Sequence, residues 1–234
     1  MNAIIFDIDG VLVDTSQSYS LAIKKTAEFF LNTSLNKKIV EEYKNKGNLN
    51  NDYDCTQAIL IDGGKSIKRN KIIKKFQEYY LGKKWNGLIN NEKWLLDKKT
   101  LGKLSKKYKL SILTGRPRKE AEYTLKLFDA IKYFKDMICM EDVKKGKPDP
   151  EGLLKLLVKL KTKKAIYIGD LIDDSIAAKN ANIDFIGVIA PGIDRKKAED
   201  VFKKDGVKII LNDINEIGKI LWEKVELREE QKRQ

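Results

Sequence analysis

Two aspartates stand two residues apart near the start of the chain, where Asp7 and Asp9 interrupt the apolar run AIIFDID ahead of Gly10. Side chains two residues apart lie on the same face of a straight strand, so the two carboxylates would lie together. Carboxylates this close repel each other unless a cation lies between them or one is protonated. The pair therefore indicates a site for Mg²⁺, which prefers oxygen ligands, or an acid–base pair. A turn without chemistry is the alternative, because Asp and Gly also favour turns.

A hydroxyl and several backbone N–H groups precede a predicted helix in the segment LTGRP. Thr114, Gly115 and Arg116 occupy this segment, and the N-terminus of a helix attracts anions. We interpret the segment as a binding site for a phosphorylated substrate. An ordinary helix N-cap at Thr114, with Pro117 in the first turn, fits the same pattern.

A lysine and a group of acidic residues follow two later strand-like runs. Lys147 lies in KGKPDP, where the two prolines that follow it favour a rigid, extended chain that would hold its ammonium in place. The run AIYIGD ends in Asp170, which Asp173 and Asp174 soon follow. Several carboxylates at the end of one strand are typical of a functional site.

The chain contains no histidine, which excludes every mechanism that uses imidazole as base, nucleophile or metal ligand. Carboxylates and lysines must therefore supply the chemistry. The formal net charge of +13 comes mostly from lysines spread along the chain. We interpret it as a solvated surface that attracts a phosphorylated substrate. We expect no nucleic-acid partner, because clustered arginines with interleaved aromatics are absent.

The start of the chain, MNAIIFDIDGVLVD, carries no basic leader, and aspartates break its apolar run. It therefore predicts neither a signal peptide nor a membrane span. We expect a cytoplasmic protein without a membrane partner.

Six apolar, strand-like runs alternate with helical patterns, which include a long one at 118–134. Continuous apolar runs suit strands buried on both faces of a sheet. The alternation predicts an α/β fold with a doubly wound parallel sheet, in which ligands bind at the carboxyl ends of the strands. The four polar segments follow four of these runs and would converge there. The runs lie at 3–9, 110–115, 136–140, 165–170, 184–190 and 207–211.

Residues 16–94 break this alternation, because they carry helical patterns and no convincing strand. We predict a small helical cap domain inserted after the first strand. Residues 1–15 and 95–234 would then form the catalytic core, and the chain would hinge near Thr15 and Asn90.

The predicted cap contains a polar segment, KGNLNNDYD, which would lie over the phosphate pocket. Asn50, Asn51 and Asp52 in this segment would bind the hydroxyls of the substrate. A surface loop that caps the next helix is an equally good interpretation.

The order and wording of these segments resemble the haloacid dehalogenase superfamily, in particular its phosphatase branch with a helical cap, which includes phosphoglycolate phosphatase-like proteins. All four motifs of that superfamily occur in order within residues 3–190. The chain departs from the pattern at Asn182, where the family usually has glycine. The matching positions are Asp7–Asp14 for the motif DxDGxxxD, Thr114 for the Ser/Thr motif, Lys147 for the lysine and Gly169–Asp174 for GDxxxD.

The resemblance implies a Mg²⁺-dependent phosphomonoester hydrolase that acts on a small phosphorylated metabolite through an aspartyl-phosphate intermediate. Asp7 would attack phosphorus as the nucleophile. Asp9 would protonate the leaving alkoxide and then activate the water that hydrolyses the intermediate. Mg²⁺ would be held by Asp7, Asp170 and the backbone carbonyl of Asp9.

The resemblance also implies groups that support this chemistry. Thr114 and Lys147 would hold the transferring oxygens. Asp174 would orient Lys147 and the waters of the metal without binding the metal itself. The family spacing favours Asp174 over Asp173 in this role.

Several other functions remain as alternatives. A phosphomutase of the same superfamily would need a cap that shields a bisphosphate intermediate from water, and a phosphonate hydrolase would need a cap lysine that forms a Schiff base. A non-catalytic nucleic-acid-binding protein on the same fold is another alternative, although the carboxylates would repel a polyanion without metal. Asp9 argues against a dehalogenase, since a departing halide needs no acid.

Overall fold

The computed structural model describes residues 2–36, 38–44, 49 and 51–221. The chain divides into two compact units. The first runs from the N-terminus to Asp14 and resumes at Trp94, and the second comprises Thr15–Lys93. No helix in the described residues is long and apolar enough to cross a membrane.

The first unit is built on a parallel β-sheet. The described residues form the strands β1 (Ala3–Phe6), β2 (Val13–Asp14), β3 (Lys93–Trp94), β4 (Lys109–Leu113), β5 (Phe134–Ile138), β6 (Ala165–Gly169), β7 (Asp184–Val188) and β8 (Ile210–Leu211). Six of them pair in parallel in the order β5-β4-β1-β6-β7-β8, and β2 and β3 stand outside this sheet. The predicted α/β fold with a doubly wound parallel sheet is confirmed.

Alternate strand residues build two apolar layers, because successive side chains point to opposite faces of a sheet. Ile4 and Phe6 of β1 pack on one face with Ile112 of β4, whereas Ile5 packs on the other face with Tyr167 of β6. All five side chains are fully buried. Burying an Ile or Phe side chain contributes roughly 1.5–3 kcal/mol, so both layers hold the central strands firmly in register.

The described residues of the second unit form the α-helices α1 (Tyr19–Leu31), α2 (Ile39–Lys44), α3 (Asp52–Asp62) and α4 (Arg69–Tyr80). The rings of Tyr19 and Tyr80 stack with centroids 4.2 Å apart and join α1 to α4. The buried carboxylate of Glu92 accepts hydrogen bonds from the hydroxyls of Ser18 (3.3 Å) and Tyr80 (3.0 Å). These bonds link the two ends of this stretch of chain to each other.

Helix α3 begins within the polar segment that we interpreted either as a loop over the phosphate pocket or as a loop that caps the next helix. Its N-cap is Asn51, whose side-chain oxygen accepts hydrogen bonds from the backbone N–H groups of Tyr53 (3.0 Å) and Asp54 (3.2 Å). An asparagine N-cap with acidic residues in the first turn favours helix initiation. Asn51 therefore caps a helix, as one of the two interpretations of this segment predicts, and substrate contacts of the segment stay predictions.

Along the chain, the helices of the first unit alternate with its strands. They are α5 (Lys98–Lys107), α6 (Arg118–Leu127), α7 (Glu151–Lys159), α8 (Ile172–Asn180) and α9 (Arg195–Lys204). The long helix expected at 118–134 is wrong in its second half. Helix α6 ends at Leu127 because Asp129 adopts a left-handed conformation with φ of 47°, which no α-helix can continue.

Candidate active site

The carboxylate of Asp7 lies directly beyond the end of β1, at the carboxyl edge of the sheet. The backbone N–H of Asp7 donates to the carbonyl of Ile168 in β6 (2.9 Å), which extends the strand pairing by one residue. One carboxylate oxygen accepts a hydrogen bond from the backbone N–H of Ile8 (2.7 Å). Asp7 is only 4% exposed, so its charge is almost removed from water.

Two more carboxylates come from the neighbouring strand β6 and the helix that follows it. Oxygens of Asp7, Asp170 and Asp174 all lie within 4.8 Å of one another. Burial, which Lys147 opposes and Asp174 and Asp9 reinforce, raises the pKa of Asp7 to about 7. Burial also raises the pKa of Asp170 well above its ordinary value, with Asp174 and Asp7 adding to the effect. Crowded oxygen ligands of this kind can hold a divalent cation such as Mg²⁺.

Two glycines provide the space that these carboxylates occupy. A Cβ atom on Gly10 would lie 2.1 Å from Oδ2 of Asp170, and Gly10 also has a φ of +69°. A Cβ atom on Gly169 would lie 2.5 Å from Oδ2 of Asp174. Both positions must therefore stay without a side chain if the three carboxylates are to approach one another.

The ammonium of Lys147 lies among these carboxylates. Its Nζ atom is 2.6 Å from Oδ2 of Asp7, 2.6 Å from Oδ1 of Asp174 and 3.2 Å from the hydroxyl of Tyr167. Burial alone would lower the pKa of Lys147, but Asp174 and Asp7 raise it well above its ordinary value. Lys147 is therefore a fixed positive charge whose three N–H groups are directed at these three partners.

Tyr167 was missed by the sequence analysis. It lies inside β6, and its hydroxyl donates to Oδ1 of Asp174 (2.8 Å) while accepting from Lys147. The signal in the sequence was a tyrosine within an apolar run that predicts a buried strand. The hydroxyl of a buried tyrosine needs a hydrogen-bond partner, so this residue indicated a polar contact. Tyr167 ties the lysine to the carboxylate cluster.

The carboxylate of Asp9 is not among the three that form this cluster. Strand β1 ends at Phe6, so the strict alternation that would place Asp9 beside Asp7 does not continue. The carboxylate of Asp9 instead receives the guanidinium of Arg116, with Nη2 2.5 Å from Oδ1. Three carboxylates do gather as expected of a metal site, but they are Asp7, Asp170 and Asp174. The predicted metal ligand at Asp9 is its backbone carbonyl, and this stays a prediction.

Thr114 and Gly115 follow β4, next to β1 in the sheet. Thr114 is buried, and its hydroxyl oxygen accepts a hydrogen bond from the backbone N–H of Arg116 (3.1 Å). It does not cap α6, whose N-cap Pro117 makes no side-chain hydrogen bond. A Cβ atom on Gly115 would meet nothing within 4 Å, so open space adjoins this turn.

The other residues that the sequence predicted for the site are not part of the carboxylate cluster found among the described residues. Asp173 is half-buried in the first turn of α8, and it does not belong to the carboxylate cluster found among the described residues. Asn51 caps α3, and the carboxylate of Asp52 accepts from Nζ of Lys44 (3.0 Å), so both make hydrogen bonds within the helical unit. Asn50 lies outside the described residues. Substrate contacts by these three residues stay predictions.

We predict that Gly10→Ala weakens Mg²⁺ binding by about tenfold or more, which corresponds to ~1.4 kcal/mol, because the new methyl group must displace Asp170. Isothermal titration calorimetry measures the affinity. Gly192→Ala is the matched control, since Gly192 also has a positive φ (+80°) but open space around its Cβ position. Equal affinity in the wild type and Gly10→Ala would contradict the role of Gly10.

Comparisons with known proteins agree with this geometry. A family model described as haloacid dehalogenase-like hydrolase matches residues 4–188. A phosphorylated carbohydrates phosphatase from Thermotoga maritima is 29% identical over 203 residues, which cover 85% of this chain and 89% of that protein. The solved structure of phosphatase Tt82 from Thermococcus thioreducens is similar, with a TM-score of 0.72 and 25% identity over 94% of this chain and 99% of that one.

A longer protein also matches. An imidazoleglycerol-phosphate dehydratase from Phytophthora nicotianae is 32% identical over 200 residues, which cover 82% of this chain. The chain spans only 44% of the length of that protein, so the likeness concerns one part of it. The resemblance to the phosphatase branch of the superfamily, first noted on the four motifs, is confirmed. The chain belongs to the haloacid dehalogenase-like hydrolases, among relatives that are named phosphatases.

Proposed function

We propose that this protein is a Mg²⁺-dependent phosphomonoester hydrolase that acts on a small phosphorylated metabolite through an aspartyl-phosphate intermediate. The observation that carries the proposal is the contact of Lys147 with both Asp7 and Asp174 (2.6 Å each), inside a cluster of three carboxylates. A buried nucleophile beside a fixed cation suits attack on a negatively charged phosphoryl group. Family membership and the names of the relatives support the same reaction.

The donor set fits Mg²⁺, because it consists of oxygen ligands from several strand ends. Asp7, Asp170 and the backbone carbonyl of Asp9 would hold the ion, with the carboxylate of Asp174 beside them. Bound Mg²⁺ would neutralise negative charge on the transferring phosphoryl group.

The aspartates would carry out two chemical steps in turn. In the first, a carboxylate oxygen of Asp7 bonds to phosphorus while the bond from phosphorus to the ester oxygen breaks, and Asp9 gives its proton to that oxygen. In the second, Asp9 takes a proton from water, and the resulting hydroxide displaces the Asp7 carboxylate from phosphorus. Inorganic phosphate leaves, and both carboxylates return to their starting states.

Lys147 and Thr114 would bind the phosphoryl oxygens. Lys147 is held in place by Asp174 and Tyr167, so its ammonium needs little reorganisation when charge shifts from Asp7 to the phosphoryl group. Thr114 follows the strand next to that of Asp7, and its hydroxyl lies close to the carboxyl edge of the sheet. A preorganised cation and hydroxyl lower the barrier because they are aligned before the reaction begins.

The helical unit would act as a cap that admits small esters and excludes water during the first step. Its insertion directly after the segment that carries Asp7 and Asp9 supports this role. Asn50, Asn51 and Asp52 are the proposed contacts to the hydroxyls of the substrate.

We predict that Asp7→Asn lowers kcat/KM by roughly 10³-fold or more on every ester of a panel of small phosphate monoesters with Mg²⁺, because an amide cannot attack phosphorus. Released phosphate measures the rate, and circular dichroism checks the fold. Asp136→Asn is the control, since Asp136 pairs with Lys159 (3.0 Å) away from the cluster. More than residual turnover by Asp7→Asn would rule out this nucleophile.

The metal ligands can be tested by a matched pair of variants. We predict that Asp170→Asn raises the Mg²⁺ concentration needed for half-maximal activity strongly, whereas Asp173→Asn changes it little. Mg²⁺ at about 100 times its Kd should also stabilise the wild type by ~2.7 kcal/mol, because it binds the folded state only. Thermal unfolding should show this shift in Asp173→Asn and not in Asp170→Asn. A larger effect of Asp173→Asn than of Asp170→Asn on the Mg²⁺ requirement would identify Asp173, not Asp170, as the metal ligand.

Substrate size tests the proposed cap. We predict that kcat/KM for phosphate esters of two to about six carbons exceeds that for a 5′-phosphorylated oligonucleotide or a phosphorylated protein, because a cap excludes bulk. Phosphate release under identical Mg²⁺ concentrations compares them. A higher kcat/KM for either macromolecule than for every small ester would refute the cap proposal.

A further inference from the structure

The side chain of Arg116 is buried against Asp9, with 1% of it exposed, whereas 35% of the Asp9 side chain is exposed. Nε of Arg116 lies 2.9 Å from Oδ1 and 3.2 Å from Oδ2 of Asp9, and Nη2 lies 2.5 Å from Oδ1. The planar guanidinium fork therefore contacts both carboxylate oxygens. Such a contact fixes the rotation of a carboxylate better than a lysine does, because the donors are held in one plane.

Arg116 is itself held from the opposite side. Its Nη1 atom donates to the hydroxyl of Thr124 (2.7 Å), a fully buried residue of α6. Its backbone N–H donates to the hydroxyl of Thr114 (3.1 Å), and its carbonyl accepts from the backbone N–H of Met140 (3.1 Å). The guanidinium thus joins Asp9 to the buried hydroxyl of Thr124 in α6.

The hydrogen bonds from Arg116 are shared unequally between the two carboxylate oxygens of Asp9. An ionised carboxylate has about four lone-pair positions. Oδ1 of Asp9 accepts the two shorter bonds, and Oδ2 accepts only the longer bond from Nε. Oδ2 on the half-exposed side chain therefore keeps lone-pair positions that the bonds from Arg116 do not occupy. Arg116 cannot take that proton, because a guanidinium stays protonated and has no acceptor.

We propose that Arg116 is a positioning residue that holds the carboxylate of Asp9 in the orientation for proton transfer and does not bind the substrate. This inference rests on the proposed function, in which Asp9 protonates the leaving alkoxide and then activates water. Arg116 would thus serve both steps without touching a reacting atom.

The leaving group separates this role from a structural one. An alkyl phosphate needs a proton on its departing oxygen, whereas 4-nitrophenolate departs without one. Loss of the Arg116 contact therefore slows the first step for the alkyl ester by about 10²-fold, as a misplaced catalytic group does. For the aryl ester only the second step is slowed, so phosphorylated enzyme accumulates after a rapid first turnover.

The experiment compares Arg116→Met and Arg116→Lys with the wild type, using glycerol phosphate in the steady state and 4-nitrophenyl phosphate in stopped flow with Mg²⁺. Arg118→Met is the control, because Arg118 pairs with Asp142 at the surface and does not contact Asp9. We expect Arg116→Met to lose about 10²-fold in kcat on glycerol phosphate and to release one equivalent of 4-nitrophenolate in a burst before a slow steady state. Arg116→Lys should show a smaller loss, since it keeps the charge without the fork.

An equal loss on both esters without a burst, or no loss on either, would overturn the positioning role. If Arg116→Met does not fold, Thr124→Val provides the same test through the anchor of Arg116. For Thr124→Val, a smaller burst of 4-nitrophenolate supports the positioning role. Lowered activity of this variant without a burst contradicts that role. A wild type that hydrolyses neither ester would instead refute the proposed function itself, and this role with it.

Discussion

One buried ammonium sets the charge balance of the whole site. Lys147 faces Asp7 and Asp174 at 2.6 Å each, and Asp170 lies in the same cluster. One positive charge cannot compensate three carboxylates, and burial raises the pKa of Asp7 to about 7. Buried ion pairs of this kind contribute little to stability, because the cost of desolvation offsets their attraction. The arrangement is better explained by function, since a divalent cation would supply the two positive charges that the cluster lacks.

The topology of the sheet makes this cluster possible. The order β5-β4-β1-β6-β7-β8 reverses at β1, so the strands that precede Asp7, Thr114 and Asp170 are neighbours. Ligands bind at such reversal points in open parallel sheets, because the chain leaves neighbouring strands in opposite directions. Gly10 and Gly169 then allow the side chains to meet, since a Cβ atom at either would collide with a carboxylate. The strands therefore bring these side chains to one edge of the sheet, and the glycines leave the space that the carboxylates occupy.

Features that depend on local sequence patterns were predicted from the sequence, whereas contacts between residues far apart in the chain were not. The six strands, the helical stretch and the polar residues at strand ends follow from periodicity and motif order. The pairing of Asp9 with Arg116 joins residues 107 positions apart, and no local pattern encodes it. Tyr167 looked like an apolar strand residue, and its hydroxyl gained a role only when the topology placed it beside Lys147. The turn-forming residues around Asn51 fitted both a pocket loop and a helix cap, so the sequence could not decide where helix α3 begins.

The central claim is that Asp7 carries the phosphoryl group between the two steps. Rapid acid quenching of the Mg²⁺-loaded protein during turnover of a ³²P-labelled phosphate monoester, followed by proteolysis and mass spectrometry, tests it directly. The account predicts an acid-stable, hydroxylamine-sensitive acyl phosphate on the peptide that contains Asp7, formed and lost at rates compatible with turnover. Label on another residue, or rapid turnover with no labelled protein under conditions that favour its accumulation, would contradict the account.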